Sequence, residues 1–515
     1  MKFESGKLMK DAFKPSFLMH PYCLIAFIVI LPAITGCGFP SKYSASEIRA
    51  EYAGGSGFST TAVFESNKDT AGARPFSPEM QIELNGPLTL ARVIEISVAN
   101  NPNLQQTVHR IAQAKAMKDL SDAAFWPVVG FYTEYVQGDA PSAYLFRTID
   151  QRQLPQNINF NDPGWFENYE TGVTARMNLF NGGRDYLGFR MAEQEVHISD
   201  LERQTVVNDL TAQVIAAFYD VLSSREVIDI AEASVASASE QLRIIQVQYE
   251  GGGALKADVL TLKVHLAQAK ESLVESRKRY KLANAALAHL MGFDAAGLST
   301  DFNLSVQTNG VFIDVPATYE EGIIYALAHR PELEKIRKLM VTSRIGLDVS
   351  KSDYLPRIDL MGKYYVDDQH MNYDRDRENW TAAVVFNWDL FTGFSTQARI
   401  KKADAIVKEM LAADRQATLG VQFDVKNAYL NLEAARARHE VAASSVESAE
   451  ESYRLVKEYY KRGAVTINRY LAAELDYNRA RIRSTAAFYD KIKANAEFAR
   501  AIGNLADGKQ QNLER

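Results

Sequence analysis

Leu179-Phe180-Asn181-Gly182 and Leu390-Phe391-Thr392-Gly393 are one turn written twice, 211 residues apart. From that turn onward the correspondence runs without a gap. Val214 meets Val425, Ala217 meets Ala428, Tyr249 meets Tyr460, Gly252 meets Gly463 and Gly292 meets Gly503. Before the turn the spacing changes. Pro102 and Pro127 are matched by Pro331 and Pro356, and Asp119, Ser121 and Tyr135 by Asp348, Ser350 and Tyr364, all 229 residues apart. The two spacings differ by 18, so the first copy carries 18 extra residues between Tyr135 and Leu179. A unit of roughly 200 residues is no solenoid module of about 20–50. The chain is a duplicated half-molecule, and what one half contains decides the fold.

Immediately before each turn the hydrophobic period is two. Val173, Ala175, Met177 and Leu179 alternate with Thr174, Arg176 and Asn178, and Ala382, Val384, Phe386, Trp388 and Leu390 alternate with Asn387 and Asp389. These predict strands over about 171–180 and 381–391, partnered by strands over about 128–137 and 357–367. Some ten alternating residues with an aromatic-bearing apolar face fit an outer-membrane β-strand. A soluble sheet with one buried face shows the same alternation.

After each turn the period becomes helical. Residues 185–249 hold no proline and one glycine, Gly188, and predict a helix about 97 Å long. Val207, Leu210, Val214, Ala217 and Val221 open a heptad seam that Thr418, Val421, Val425, Ala428 and Leu432 repeat. Tyr249-Glu250-Gly251-Gly252-Gly253 and Tyr460-Lys461-Arg462-Gly463 end the long helices, glycine being the expected terminator. Return helices follow over about 256–291 and 467–502. Ahead of the strands, Thr89 and Thr318 are N-cap candidates. They open short helices that stop at Asn101-Pro102 and Arg330-Pro331, with further helices to about 125 and 353. At about 1.5 Å per residue, the return and pre-strand helices stack to roughly the height of the long one. Each half reads as two equal columns, one continuous and one in two pieces.

The start of the chain is different. Lys2, Lys7, Lys10 and Lys14 precede an apolar run from Cys23 to Ile34, too short to span a bilayer. Ile34-Thr35-Gly36-Cys37 resembles the bacterial lipobox, so 1–36 reads as a lipoprotein signal and Cys37 as the site of lipid attachment. A plain secretory signal with an incidental cysteine is the other reading. Residue 38 is Gly rather than Asp, which in enteric-type sorting implies the outer membrane. Residues 37–86, rich in Gly, Ser, Thr and Pro, read as a tether. The domains then follow as a first repeat over 87–292, a linker over 293–316, a second repeat over 317–503 and a tail over 504–515.

Several functions are excluded. A formal net charge of −6 with no concentrated basic block argues against a nucleic-acid surface. The only cysteines, Cys23 and Cys37, leave no disulfide framework or thiolate metal site. The eight histidines form no paired i, i+4 pattern, and His439 sits on the heptad seam as a packed polar residue. Gly251-Gly252-Gly253 is not continued as a phosphate-binding loop. No catalytic residue, metal or cofactor is expected, and the chain does not read as an enzyme.

Four strands cannot close a membrane barrel, and an open sheet edge is not tolerated in lipid. Strands must come from several chains: a dimer supplies 8 and a trimer 12, and a lumen needs the larger number. The duplicated helix–hairpin–helix halves, the Asn-Pro and Arg-Pro breaks, Leu179-Phe180-Asn181-Gly182-Gly183 and the Tyr-x-x-Gly turns together resemble the TolC-like outer-membrane efflux proteins, in their lipoprotein branch. The resemblance covers roughly residues 86–503. It implies a mainly α chain with a small membrane β part, assembled as a homotrimer: a twelve-column α-barrel tunnel under a 12-strand β-barrel. It implies an outer-membrane channel-tunnel of a tripartite efflux or type I secretion system, with a periplasmic adaptor and an inner-membrane pump as partners. Its periplasmic tips would be the turns at Tyr249, Gly252, Tyr460 and Gly463. Asp258 matches a position of the family's acidic mouth, while Arg469 stands where the family often has Asp, so both are candidate gate charges; solvated charges near a turn are the plainer reading. Two alternatives stay open: a periplasmic helical adaptor or scaffold lipoprotein without a pore, and a surface enzyme or adhesin on a helical stalk. The cargo is not readable.

Overall fold

The computed structural model describes residues 87–293, 302–305, 313–372 and 375–505. The signal region, Cys37, the tether, most of the 293–316 linker and all but the start of the tail lie outside those residues. Among the described residues, no helix is long and apolar enough to cross a membrane.

The first half holds α1 (Leu90–Asn100), α2 (Pro102–Asp122), β1 (Val128–Gly138), α3 (Pro141–Asp150), β2 (Phe166–Asn181), α4 (Arg184–Glu250) and α5 (Lys256–Leu290). The second holds α6 (Tyr319–His329), α7 (Pro331–Ser352), β3 (Arg357–Asp368), β4 (Glu378–Asn387), α8 (Ser395–Lys461) and α9 (Ile467–Ile502). Two expectations are corrected, and one further element is added. β2 begins at Phe166, because Asn168 and Glu170 alternate as polar partners of one sheet face, not as loop residues. β4 covers Glu378–Asn387 and stops short of 391: past Asn387 the chain leaves the sheet, and the Trp388 indole donates to the Tyr354 carbonyl instead. The added element is α3, which the hydrophobic periodicity does not predict.

Proline and glycine make the column joints. Thr89 and Thr318 cap α1 and α6, accepting from the backbone N–H of Arg92 and Glu321. The residue before each break proline is held extended, as the proline ring requires, and its side chain seals the end of the return helix. Asn101 donates to the Leu290 carbonyl at 3.0 Å, and Arg330 donates to the Ala501 carbonyl at 2.8 Å. These are equivalent positions of the two halves. Gly292 closes the first joint with φ +80°, where a Cβ would lie 2.5 Å from the Asn100 carbonyl oxygen.

The long helices are 67 residues each, about 100 Å. Their contacts order the columns as α2 with α5, then α4, then α7 with α9, then α8. The predicted seam packs each long helix on its own half: Val214, Ala217 and Val221 of α4 are buried, as are Val425, Ala428 and Leu432 of α8. The four antiparallel strands run β1-β2-β3-β4. The sheet and the helical wall therefore end on the same pair of elements, β1 with α2/α5 at one edge and β4 with α8 at the other.

Candidate functional site

The sheet has two chemically distinct faces, fixed by its register. One face carries Val129, Phe131, Tyr135, Val173, Leu360, Tyr364, Trp380, Val384 and Phe386, all exposed. The other carries Tyr132, Glu134, Asn168, Glu170, Lys363, Asp367 and Asn379. Apolar outside and polar inside is the pattern of a membrane barrel with an aqueous interior. Where strands meet helices, Trp126, Tyr354, Trp388, Phe391 and Phe394 are exposed, the composition of the aromatic girdles that flank a membrane barrel.

The polar face is not bare. α3 lies across it, bringing Arg147 to Glu170 (2.6 Å) and Asp367 (3.4 Å). The Tyr132 hydroxyl and the Lys363 ammonium donate to the same Glu170 carboxylate, and Asn168 donates to Asp367 at 2.6 Å. Glu170, Asp367 and Asn168 are all buried, and every charge among them has a partner, which is what makes their burial tolerable.

The helical wall carries a second surface. α4 buries twenty residues and α8 only seven, although both are 67 long. The difference lies on one stripe. Asn208, Ala212, Tyr219 and Ile230 of α4 are buried, Asn208 and Tyr219 against the second half. Asn208 donates to the Arg500 carbonyl, and the Tyr219 and Tyr489 rings lie 6.0 Å apart. Their matches on α8, 211 residues on, are Leu419, Phe423, Leu430 and Val441, all exposed; Phe423 and Val441 are each 71% exposed, against 5% and 3% for Ala212 and Ile230. α8 thus presents apolar side chains at the positions where α4 holds a neighbouring column. At the opposite edge α5 exposes Leu260, Val264, Val274 and Leu282.

At the far end the two glycine turns sit side by side. Gly252 and Gly463 take positive φ, +80° and +73°. Ile245, Val259 and Leu262 pack with Val456, Ile467 and Tyr470 in one small core. Tyr460 stacks on Tyr470 at 5.0 Å, and the Tyr453 and Tyr470 hydroxyls are 3.1 Å apart. Burial, and after it the Asp258 carboxylate, push the Tyr460 hydroxyl's pKa up. Tyr249, by contrast, is exposed. Asp258 is half-buried in the first turn of α5, where the helix dipole favours a carboxylate. Arg469 is exposed in the first turn of α9, and the two form no salt bridge with each other within the chain. His439 packs beside Phe488 at 5.7 Å, and burial pushes its pKa down, which favours the neutral ring. Among the described residues no group of three His, Cys, Asp or Glu could hold a metal ion.

The molecule's relatives agree with this architecture. A family model described as outer membrane efflux protein matches residues 93–293 and 323–504. Protein CyaE of Bordetella pertussis is 23% identical over 429 residues, 83% of this chain and 86% of the relative. The alkaline protease secretion protein AprF of Pseudomonas aeruginosa is 25% identical over 321 residues, 60% of this chain and 62% of the relative. Among solved structures, the outer-membrane channel OprN superposes with a TM-score of 0.69 at 18% identity, covering 80% of this chain and 89% of that one.

Proposed function

The chain belongs to the outer membrane efflux protein family, and from that premise we propose that it is the outer-membrane channel-tunnel of a tripartite export system, closed by three copies of itself. The observation that carries this is the matched pair of open edges. A wall and a sheet that leave different surfaces open at their two edges can associate head to tail, α8 and β4 of one copy against α2/α5 and β1 of the next, and a head-to-tail contact that closes makes a ring. Three chains give twelve strands, enough for a barrel with a lumen. The contact of α8 with the next chain's α2/α5 column then repeats, between chains, the contact of α4 with α7/α9 inside one. A scaffold without a pore would have no use for an apolar outer and a polar inner sheet face.

The tips at Tyr249, Gly252, Tyr460 and Gly463 are the docking ends for a periplasmic adaptor, which links the channel to an inner-membrane pump. Cys37 is the lipid anchor in the outer membrane. Asp258 and Arg469 meet across neighbouring chains when the mouth is closed. Secretion of a polypeptide is the cargo reading favoured by the alkaline protease secretion protein among its relatives.

Native mass spectrometry in detergent, followed by reconstitution into planar bilayers, tests the proposal. A trimer that conducts is expected, and a monomer without conductance overturns it. The same spectra give the mature N-terminus, expected as an acylated Cys37. Asp258→Ala and Arg469→Ala should each raise conductance several-fold at most, and more at low salt, since exposed pairs are weak and screened.

A further inference from the structure

We propose that α3 is the channel's outer constriction, in which three copies of the helix, one per chain, narrow the barrel near its extracellular end, with Phe146 and Ile149 as the apolar rim and Arg147 holding each helix in place. The inference rests on the trimeric channel reading, which makes the polar sheet face the lumen.

The first support is position. Arg147 pairs with Glu170 of β2 and Asp367 of β3 and approaches Glu134 of β1 at 3.8 Å, all on the polar face. Beyond α3, Gln151 donates to the Glu167 carbonyl at 2.7 Å and to Asn168 Oδ1 at 2.8 Å, and Arg152 donates to Asn379 Oδ1 beside β4 at 3.1 Å. The segment therefore spans the sheet from β1 toward β4 on the luminal side, at the end remote from the long helices.

The second is orientation. α3 is inverted relative to a surface helix. Arg147, Thr148 and Gln151 turn to the sheet, Thr148 and Gln151 being buried, while Phe146 is 64% exposed and Ile149 40%. Phe146 and Ile149 are three residues apart and share a face. An apolar face turned into the lumen meets its symmetry copies across the axis, and apolar constrictions gate a pore by excluding water.

The third is size. Strands about 4.8 Å apart and tilted about 40° make a twelve-strand barrel about 24 Å across between backbones. A helix with its side chains is about 10 Å wide, so three of them around an axis occupy most of that bore. The duplication isolates the feature: the first hairpin carries the 18 additional residues that place α3, and among the described residues the second has no such helix.

The test is access from outside the cell. Met361 lies on the same polar face, six residues along β3 from Asp367 toward the helices, about 20 Å along the tilted strand and about 15 Å deeper. In full-length chains carrying Met361→Cys, a small charged maleimide and one bearing a bulky polyethylene glycol chain are applied to intact cells, with the parent chain as background. The expected result is that position 361 reacts with the small reagent but resists the bulky one. Phe146→Ala with Ile149→Ala should speed the bulky reagent on the order of tenfold or more while the small one changes little. Arg147→Gln should do the same by releasing the helix, and Arg147→Lys, which keeps the charge, should restore part of the block. If the bulky reagent labels the Met361→Cys chain as fast as the double-alanine chain, or is excluded equally from both, α3 is not the constriction. Failure of the channel reading looks different: neither reagent reaches position 361 in any variant, and the constriction falls with it.

Discussion

α4 and α8 are built from matched sequence, have equal length and end in matched tyrosine–glycine turns, yet only α4 is enclosed on both sides. On the shared seam the two are alike: Val214 and Val425 are both fully buried. On the second stripe they part, with Tyr219 buried and its match Leu430 about half exposed. The stripe stays apolar on α8 although water faces it in one chain. Local sequence makes the helix, and the seam attaches it to its own half. The second stripe attaches it to whatever column comes next, which is the same chain for α4 and, in the proposed trimer, another chain for α8.

That contrast can be broken most forcefully at one matched pair. Tyr219→Ala opens a cavity against Tyr489 and Phe218 inside the chain and should cost about 3–5 kcal/mol of stability. Leu430→Ala should leave the chain's own fold intact and lower only the denaturant needed to dissociate the trimer. Chemical unfolding followed by circular dichroism, beside native gel mobility, separates the two. Equal loss of fold in both variants would contradict the distinction.

The column joints sharpen the comparison next. Gly292 and Gly503 both hold positive φ, but a Cβ at Gly292 would lie 2.5 Å from a carbonyl oxygen, against 3.1 Å at Gly503. Gly292→Ala should therefore cost about 1–3 kcal/mol, and Gly503→Ala less, read as an ordered pair of melting temperatures. The smallest effect is expected at the strand-to-helix turn. Gly183 takes φ +82° without penalty, whereas its match Phe394 holds φ +65° with a bulky side chain. Phe394→Gly should raise thermal stability by about 1 kcal/mol in detergent, and Gly183→Phe should lower it.

Much of this was legible because each signal appeared twice. The seam valines and alanines, the Asn101-Pro102 and Arg330-Pro331 breaks and the tyrosine–glycine turns all fixed helix ends or faces by local chemistry. α3 was not legible for two physical reasons. It has no counterpart among the described residues of the other half, and it buries Thr148 and half-buries Arg147 while exposing Phe146 and Ile149, the reverse of what hydrophobic periodicity assumes. The early start of β2 was hidden similarly: Asn168 and Glu170 are polar residues of a strand that lines an interior, not of a loop. At the tips the charges Asp258 and Arg469 could be placed along their helices, but the pairing proposed for them lies between neighbouring chains, which no single-chain pattern encodes.

The head-to-tail closure of the wall is tested most directly by one cross-link. Inside the chain Tyr219 faces Tyr489. Carried back by the 211-residue spacing, the same contact between chains places Leu430 of one copy beside Lys278 of the next. In outer membranes bearing the double variant Leu430→Cys, Lys278→Cys, a short bismaleimide should yield covalent dimers and trimers and nothing larger. Neither single variant should give a ladder. Monomers alone, or a ladder running past three, would contradict the account.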